Sequence, residues 1–393
     1  MNILIVHNTY QESGGEDVVF EQERRLLARN GHRVVTYERS NHELEAYSSL
    51  QRIGMLTQII SAEDSKSEIR ELLRTERPQL VHVHNTFMMI SPSVFEVCQE
   101  EGVPVVQTLH NYRLLCPAAI FYRDGHVCEE CCDHGLLRSV CHGCYHDSRA
   151  ATAAVALMLQ VHRTKRTWQD SVNGYVALTE FARQKFIEGG LPANKIHVKP
   201  NFVHPDPGER NAAGDYALFA GRLSEGKGVS TLIAAWGLLA SAIPLVVIGD
   251  GPLRPLLESQ ARRNDTQQVA FRGRLDVTET RAAMKRAAFL IVPSVWYETF
   301  SLNIAEAFAC GTPVICSRLG AMEENVADHR TGIHFTPGDP EDLAQKVEWA
   351  WTHPSELALM GREARREYEN RFTPEKNYTR LMEIYQHTVA AGV

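Results

Sequence analysis

Residues 216–229 read Tyr-Ala-Leu-Phe-Ala-Gly-Arg-Leu-Ser-Glu-Gly-Lys-Gly-Val. The first five suit a buried strand. Gly221 to Gly228 form a glycine-bearing loop with two cations, Arg222 and Lys227, and the apolar residues from Val229 open a helix. This strand–loop–helix unit recurs along the chain. Downstream, Leu245-Val-Val-Ile248 is a strand ended by Gly249-Asp-Gly-Pro252. Ala288 to Pro293 and Pro313-Val-Ile-Cys316 are strands on either side of a helix over Ser301–Cys310. Upstream, Asn2-Ile-Leu-Ile-Val-His7 is followed by a loop holding Gly14-Gly15 and an amphipathic helix over 18–29, with Gly31 just past its end. Strands at Arg33–Tyr37, Leu80–His84 and Val103–Leu109 follow, with a helix near Ser91–Glu101. Strands alternating with helices imply a parallel sheet covered on both faces. The polar, proline-bearing stretch from Val203 to Asn211 separates two such runs. The expected architecture is α/β, two doubly wound, Rossmann-like domains in series, divided as 1–202 and 203–370 with a closing segment at 371–393. A ligand is expected in a cleft between the domains, beyond the carboxyl ends of the strands.

The chain has 393 residues, of which 44% are hydrophobic and 23% charged, an ordinary globular composition. With 41 Lys and Arg against 48 Asp and Glu, the net charge of -7 argues against a nucleic-acid partner held by global charge. The longest apolar run, Ala150 to Val161, is too short for the ~20 residues of a membrane span. The first apolar run, Ile3 to Val6, has no basic leader and reads as a strand. The expected location is cytoplasmic.

Four loops carry residues with chemistry. Gly14-Gly15 opens the first helix, where glycines and helix amides admit a phosphate; taken alone, the pair also fits an ordinary turn. Arg222 and Lys227 flank a glycine loop at a helix start, where two cations oppose the local dipole and call for an anion such as a diphosphate. A solvated loop with Glu225 neutralising one charge is the plain alternative. In the third loop, Glu298 precedes a helix whose start at Phe300, Ser301 and Leu302 offers backbone amides. Glu306 sits in that helix between Ile304-Ala305 and Ala307-Phe308, so its carboxylate has little wet face to occupy and could accept from sugar or ribose hydroxyls. In the fourth, His110 follows the Thr108-Leu strand end, placed either for structure or for a reacting centre.

Taken together, the glycine pair, Thr108-Leu-His110, Gly221-Arg-Leu…Lys227-Gly, Gly249-Asp-Gly-Pro252 and Glu298…Glu306 resemble, in order and over nearly the whole chain, the retaining nucleotide-sugar-dependent glycosyltransferases of family 4. The resemblance implies the GT-B fold. It also implies that the segment from Arg371 through Tyr378 and Tyr385 is a last helix crossing back onto the first domain. Carried over to this chain, Gly15 would give its amide to the donor phosphate, with Gly14 beside it. Arg222 and Lys227 would hold the diphosphate, Glu306 the ribose, and Glu298 the donor sugar. Phe300, Ser301 and Leu302 would donate amides, and His110 would lie beside the transferred sugar. Ser301 departs from the glycine the family often has there, which bears on donor-sugar choice. Cations and a helix start at the departing diphosphate stabilise its charge by several kcal/mol in such sites. No Asp-x-Asp occurs, and no catalytic metal is expected. The resemblance further implies a UDP- or GDP-sugar donor, a glycan or lipid-linked acceptor in polysaccharide synthesis, and same-face attack. A small soluble acceptor, or a non-catalytic sugar-nucleotide binder, stands as the alternative. The 271–275 loop is the expected base pocket.

Six of the nine cysteines lie between Cys116 and Cys144. In a reducing compartment, Cys128-x2-Cys131 and Cys141-x2-Cys144 have the spacing of a structural zinc site. Family members with cysteines at comparable places suggest Cys116, Cys128, Cys131 and Cys144 as the competing ligand set. Reduced cysteines packed as small hydrophobes are the plain reading. The 150–161 helix ends in Arg163, Lys165, Arg166 and Trp168. It reads first as a buried helix with a solvated end, and second as a peripheral contact with an anionic membrane.

Overall fold

The computed structural model describes residues 1–12, 14–47, 49–263 and 268–391. The chain divides into two compact units. One comprises Met1–Phe121, Glu129–Pro200 and Asn377–Val393; the other comprises Tyr122–Cys128 and Asn201–Lys376. The sequence reading put the boundary at 202/203 and gave no sign that 122–128 groups with the second unit.

The first unit holds a six-stranded parallel sheet. Its strands are β1 (Asn2–Thr9), β2 (Arg33–Ser40), β3 (Leu80–Val83), β4 (Val105–Thr108), β5 (Gly174–Ala177) and β6 (Ile196–Val198), in the order β2-β1-β3-β4-β5-β6. β1 lies between β2 and β3, with Ile3 beside Val34 and Leu80. Its residues from Ile3 to Asn8 are all buried, as a strand covered on both faces must be.

The helix after β1 begins earlier than the periodicity predicts. It runs Gly15–Arg29, because Asp17 accepts from the Gly14 amide at 2.7 Å and closes the first turn. Its buried face is Val19, Phe20, Glu23 and Leu27, while Val18 is exposed. Gly31 takes φ +80 beyond the helix end, a conformation suited to glycine. The last helix, Pro374–Ala391, returns to this sheet from Asn377 onward: Arg380 Nε donates to the Val198 carbonyl at 3.2 Å, and the Tyr385 hydroxyl lies 2.7 Å from His82 Nδ1.

The second unit holds another six-stranded parallel sheet. Its strands are β7 (Tyr216–Ala220), β8 (Leu245–Ile248), β9 (Val269–Gly273), β10 (Ala287–Val292), β11 (Val314–Ser317) and β12 (Gly332–Phe335), in the order β9-β8-β7-β10-β11-β12. Its core joins Phe219, Leu232, Ile233, Trp236, Val247, Phe289 and Ile315, among others, between the sheet and its helices. Both sheets reverse their winding in mid-sheet, the first between β1 and β3 and the second between β7 and β10. Loops leaving such paired strands splay apart and open a crevice above the carboxyl ends.

Candidate functional site

In the second unit the two loops at that reversal are pinned to each other. Val295 N–H donates to the Gly226 carbonyl at 2.9 Å. Gly228 has φ +66, and a Cβ there would stand 1.8 Å from the Pro293 carbonyl oxygen, so only glycine fits. Across this seam Lys227 Nζ donates to Glu298 Oε1 at 2.7 Å. The same oxygen accepts from Ser294 Oγ at 2.8 Å and Trp296 Nε1 at 3.0 Å. Burial pushes the Glu298 carboxyl up, but the Lys227 charge and these donors outweigh it and hold the group below the usual carboxylate range. Glu298 is therefore ionised at neutral pH. The Lys227 ammonium also lies 5.3 Å over the Trp296 ring. Tyr122, from the short ladder of 122–123 with 126–127, meets Trp296 edge-on at 6.3 Å.

The helix after β10 runs Leu302–Ala309, with Ser301 at its N-cap and no side chain capping it. Phe300 and Ser301 are buried. Asn303 Nδ2 donates to the Ala220 carbonyl at 2.6 Å, which ties this helix start to the end of β7. Glu306 is one turn further along. Arg281 Nε and Nη2 both reach its Oε1, at 3.1 and 3.0 Å. Burial raises the Glu306 carboxyl above its usual value, with Arg281 offsetting part of the shift. Arg222 is exposed on the first loop. Arg222, Lys227, Glu298, Phe300, Ser301, Leu302 and Glu306 thus all belong to the two loops and one helix at the β7/β10 reversal.

In the first unit, Gly14 and Gly15 begin the helix after β1, and His110 lies two residues past β4. The structure adds residues that the sequence reading passed over. His7, His82 and His84 lie at the ends of β1 and β3 and are buried. His7 Nε2 bonds Asp17 Oδ1 at 2.8 Å, so Asp17 serves both the glycine pair and an imidazole. His84 Nδ1 lies 2.9 Å from His110 Nε2, with the two rings stacked. Glu23 and Lys199, both fully buried, pair beneath them. Burial, and then neighbouring charge, hold His84 and His110 well below the ordinary imidazole value; burial brings His82 down to about 4 against the opposing Glu23 charge. Burial raises Glu16 to about 7; a Tyr10 hydrogen bond opposes the shift, the Asp17 charge adds to it, and Asn111 Nδ2, donating to Glu16 Oε2 at 3.2 Å, opposes it again. A cavity of about 40 Å³ is lined by His84, Gln107, His110, Arg113 and Trp168, among others. Gln107 Oε1, Arg113 Nε and Trp168 Nε1 are buried there without hydrogen-bond partners, which marks a place for ordered water. A signal for Glu23 was available in the sequence: it falls four residues after Val19 and four before Leu27, on the core face of its helix.

Among the cysteines, Cys116 and Cys131 are buried, Cys128 and Cys144 half-buried, and Cys132 and Cys141 exposed. Among the described residues, the one trio of possible metal-ligating groups whose ligand atoms lie within 4.8 Å of one another is Glu23, His82 and His84; the cysteines form no such trio. The helix after the cysteines, Arg149–Thr164, turns Val155, Ala156, Met158 and Leu159 into the core. The cations at its end are engaged within the protein. Arg163 donates to the Leu114 carbonyl at 2.9 Å, Lys165 to Glu96 at 2.9 Å and Arg166 to Asp170 at 3.0 Å, while Trp168 is buried. The apolar stripe that suggested a membrane contact is core, and no helix among the described residues is long and apolar enough to cross a membrane.

Comparison with known proteins bears on both units. Residues 13–207 match the Glycosyltransferase Family 4 profile, and residues 214–353 match Glycosyl transferases group 1. A glycogen synthase of Mycobacterium tuberculosis is 34% identical over 321 residues, covering 79% of this chain and 69% of that protein. A D-rhamnosyltransferase, WbpZ of Pseudomonas aeruginosa, is 31% identical over 160 residues, but that match spans only 42% of the rhamnosyltransferase's length. Among solved structures, HepE of Anabaena in complex with UDP superposes with a TM-score of 0.71 at 17% identity, covering 98% of this chain and 100% of that one. Sucrose-phosphate synthase of Thermosynechococcus elongatus superposes with a TM-score of 0.76 at 18% identity over 99% of both chains. At such identities these two show the shared GT-B fold.

Proposed function

The chain belongs to glycosyltransferase family 4, and from that premise we propose that it transfers a sugar, with retention, from a nucleoside diphosphate donor to a glycan or lipid-linked acceptor. The observation that carries the proposal is the Lys227–Glu298 pair spanning the two pinned loops at the β7/β10 reversal. A carboxylate held ionised and an ammonium held beside it form a neutral, preorganised pair. When a diphosphate arrives, Lys227 is placed to turn its charge toward the phosphate, with Arg222 on the same loop as a second cation. Glu298 then faces the positive charge that develops at the anomeric carbon. Leu302 and its neighbours supply helix-start amides. Glu306 accepts the ribose hydroxyls through Oε2, since Arg281 occupies Oε1. The two cations take the part that a divalent metal plays elsewhere. The leaving diphosphate receives the acceptor proton on the face from which it departs. By the family resemblance, Gly15 would give its amide to the donor phosphate and His110 would lie beside the transferred sugar.

HepE structures were solved with UDP and with UDP-glucose, which makes uridine donors the first probes and guanosine donors the second. The test is release of nucleoside diphosphate from UDP- and GDP-sugars, preceded by a thermal-shift screen over UDP, GDP and ADP. One nucleotide should stabilise the chain, and its sugar conjugate should be turned over. No shift with any nucleotide, and no release with acceptor extracts supplied, would overturn the proposal; a shift without release would favour the binder.

For the cysteine segment we propose a structural zinc on four of Cys116, Cys128, Cys131, Cys141 and Cys144. This rests on the sequence spacing and on the thiolate chemistry of the donors alone. Metal analysis should find about one zinc per chain; none, with stability unchanged by chelators, would end it.

A further inference from the structure

The histidine cluster of the first unit has one feature that packing does not account for. Glu23 and Lys199 are each fully buried, and Lys199 Nζ donates to Glu23 Oε1. Taking two charges out of water costs several kcal/mol each, and apolar side chains of similar volume would usually hold the core as well. The other oxygen, Glu23 Oε2, has no hydrogen-bond partner, and neither does His84 Nε2. These two atoms face each other at 3.6 Å. On its far side the His84 ring meets His110, Nδ1 to Nε2, at 2.9 Å.

We infer that Glu23, held by Lys199, fixes the proton positions of His84 and through it of His110, so that His110 keeps its proton on Nε2 and presents Nδ1 as an acceptor. The steps follow from charge. A carboxylate oxygen opposite His84 Nε2 repels a lone pair and attracts an N–H, so the His84 proton sits on Nε2. His84 Nδ1 is then the lone-pair nitrogen. His110 Nε2 must carry a proton to bond to it, which leaves His110 Nδ1 able to accept and unable to donate. The other groups around His84 agree with this assignment. His82 is engaged at both nitrogens, with Thr108 Oγ1 at 2.8 Å and the Tyr385 hydroxyl at 2.7 Å, and His7 is bonded to Asp17. Burial keeps His82, His84 and His110 neutral at pH 7, so each ring has one donor and one acceptor nitrogen. Glu23, Lys199 and His84 are positioning residues. Their consequence for transfer rests on the glycosyltransferase reading: an accepting His110 takes a hydrogen bond from a donor-sugar hydroxyl and would be mismatched to an oxygen that only accepts.

The tautomers belong to the chain itself, so the test needs no sugar nucleotide. Long-range proton–nitrogen spectra of the full-length protein with labelled histidine, at pH 7.5, read them directly. His84 and His110 are assigned from the spectra of His84→Gln and His110→Gln. The expected result is Nε2–H for both rings. Nδ1–H on either ring in the wild type overturns the inference, whatever any variant does. Glu23→Gln gives the second reading. Lys199 needs an oxygen, so the Gln carbonyl turns to it and the amide N–H turns toward His84. Both rings should then invert to Nδ1–H. A folded Glu23→Gln protein with unchanged tautomers also overturns the inference, because a merely structural glutamate would leave the protons where they were. Failure to turn over any donor would count against the transferase reading and leave this result standing.

Discussion

The two sheets share a strand count and a parallel plan, yet their winding and strand-end chemistry differ. The second, ordered β9-β8-β7-β10-β11-β12, ends in glycine loops that hold a half-buried Lys–Glu pair and an exposed arginine. The first, ordered β2-β1-β3-β4-β5-β6, ends in buried imidazoles over a fully buried Glu–Lys pair. The contrast teaches where each unit's charge can act. A cation that must meet a diphosphate has to stay near water until the ligand displaces it. A group that only orients another side chain can be buried for good.

The largest effect expected from this contrast is on turnover. Lys227→Ala or Glu298→Ala should lower nucleoside diphosphate release by about a hundredfold or more with the melting temperature little changed. Near wild-type release in either variant breaks the assignment of catalysis to the β7/β10 loops. Next is backbone. Gly228→Ala would place its methyl 1.8 Å from the Pro293 carbonyl oxygen at φ +66, and should cost about 2 kcal/mol or more in chemical denaturation. An unchanged midpoint would mean that the two loops are not pinned as described.

The third effect separates the units by pH. His82 is buried neutral, with its value brought from near 6.5 to about 4. Its contribution is present above pH 6.5 and is lost as pH falls toward 4, roughly 3 kcal/mol over that window. His84 and His110 act in the same sense. Glu16, raised to about 7, acts in the opposite sense and offsets part of the loss. Glu298 is depressed, so its contribution lasts until pH falls below the ordinary carboxylate value of 4.5. Hydrogen exchange at pH 5, corrected for intrinsic rates, should therefore show β3 and β4 losing protection before β7 and β10. The reverse order would contradict the buried-histidine account. The smallest effect is at the Arg149–Thr164 helix. Neutralising Arg163, Lys165 and Arg166 together should leave liposome flotation unchanged, because each cation already has an intramolecular partner.

The same contrast explains what could be read from sequence. The gathering of the second unit's candidate residues was legible because they are local: Arg222 and Lys227 share one loop, and Glu298 through Glu306 share one loop and helix. Glycines and charges at a strand end announce themselves within ten residues. Strands β5, β6 and β12 were missed because four residues or fewer of apolar strand carry little periodic signal, and β9 was missed because it is a half-exposed edge strand; Phe271 to Gly273, read as the start of a loop, are its last residues. The first unit's cluster was illegible for a different reason. Glu23, His84, His110, Lys199 and Tyr385 come from five separate stretches, and only the parallel sheet and the returning last helix bring them together. His110 was picked out by its place at a strand end and by resemblance, while its supports were not. The basic end of the Arg149–Thr164 helix misled in part, since its membrane reading ignored partners such as Glu96 far away in sequence.

The account turns on where a nucleotide settles. The most direct measurement is a crystal structure of the chain with whichever of UDP and GDP raises its melting temperature more. The account predicts phosphate oxygens at Arg222 and Lys227, helix amides near Leu302 within reach, and the ribose at Glu306. A nucleotide lodged away from the β7/β10 loops, with the Lys227–Glu298 pair undisturbed, would contradict it.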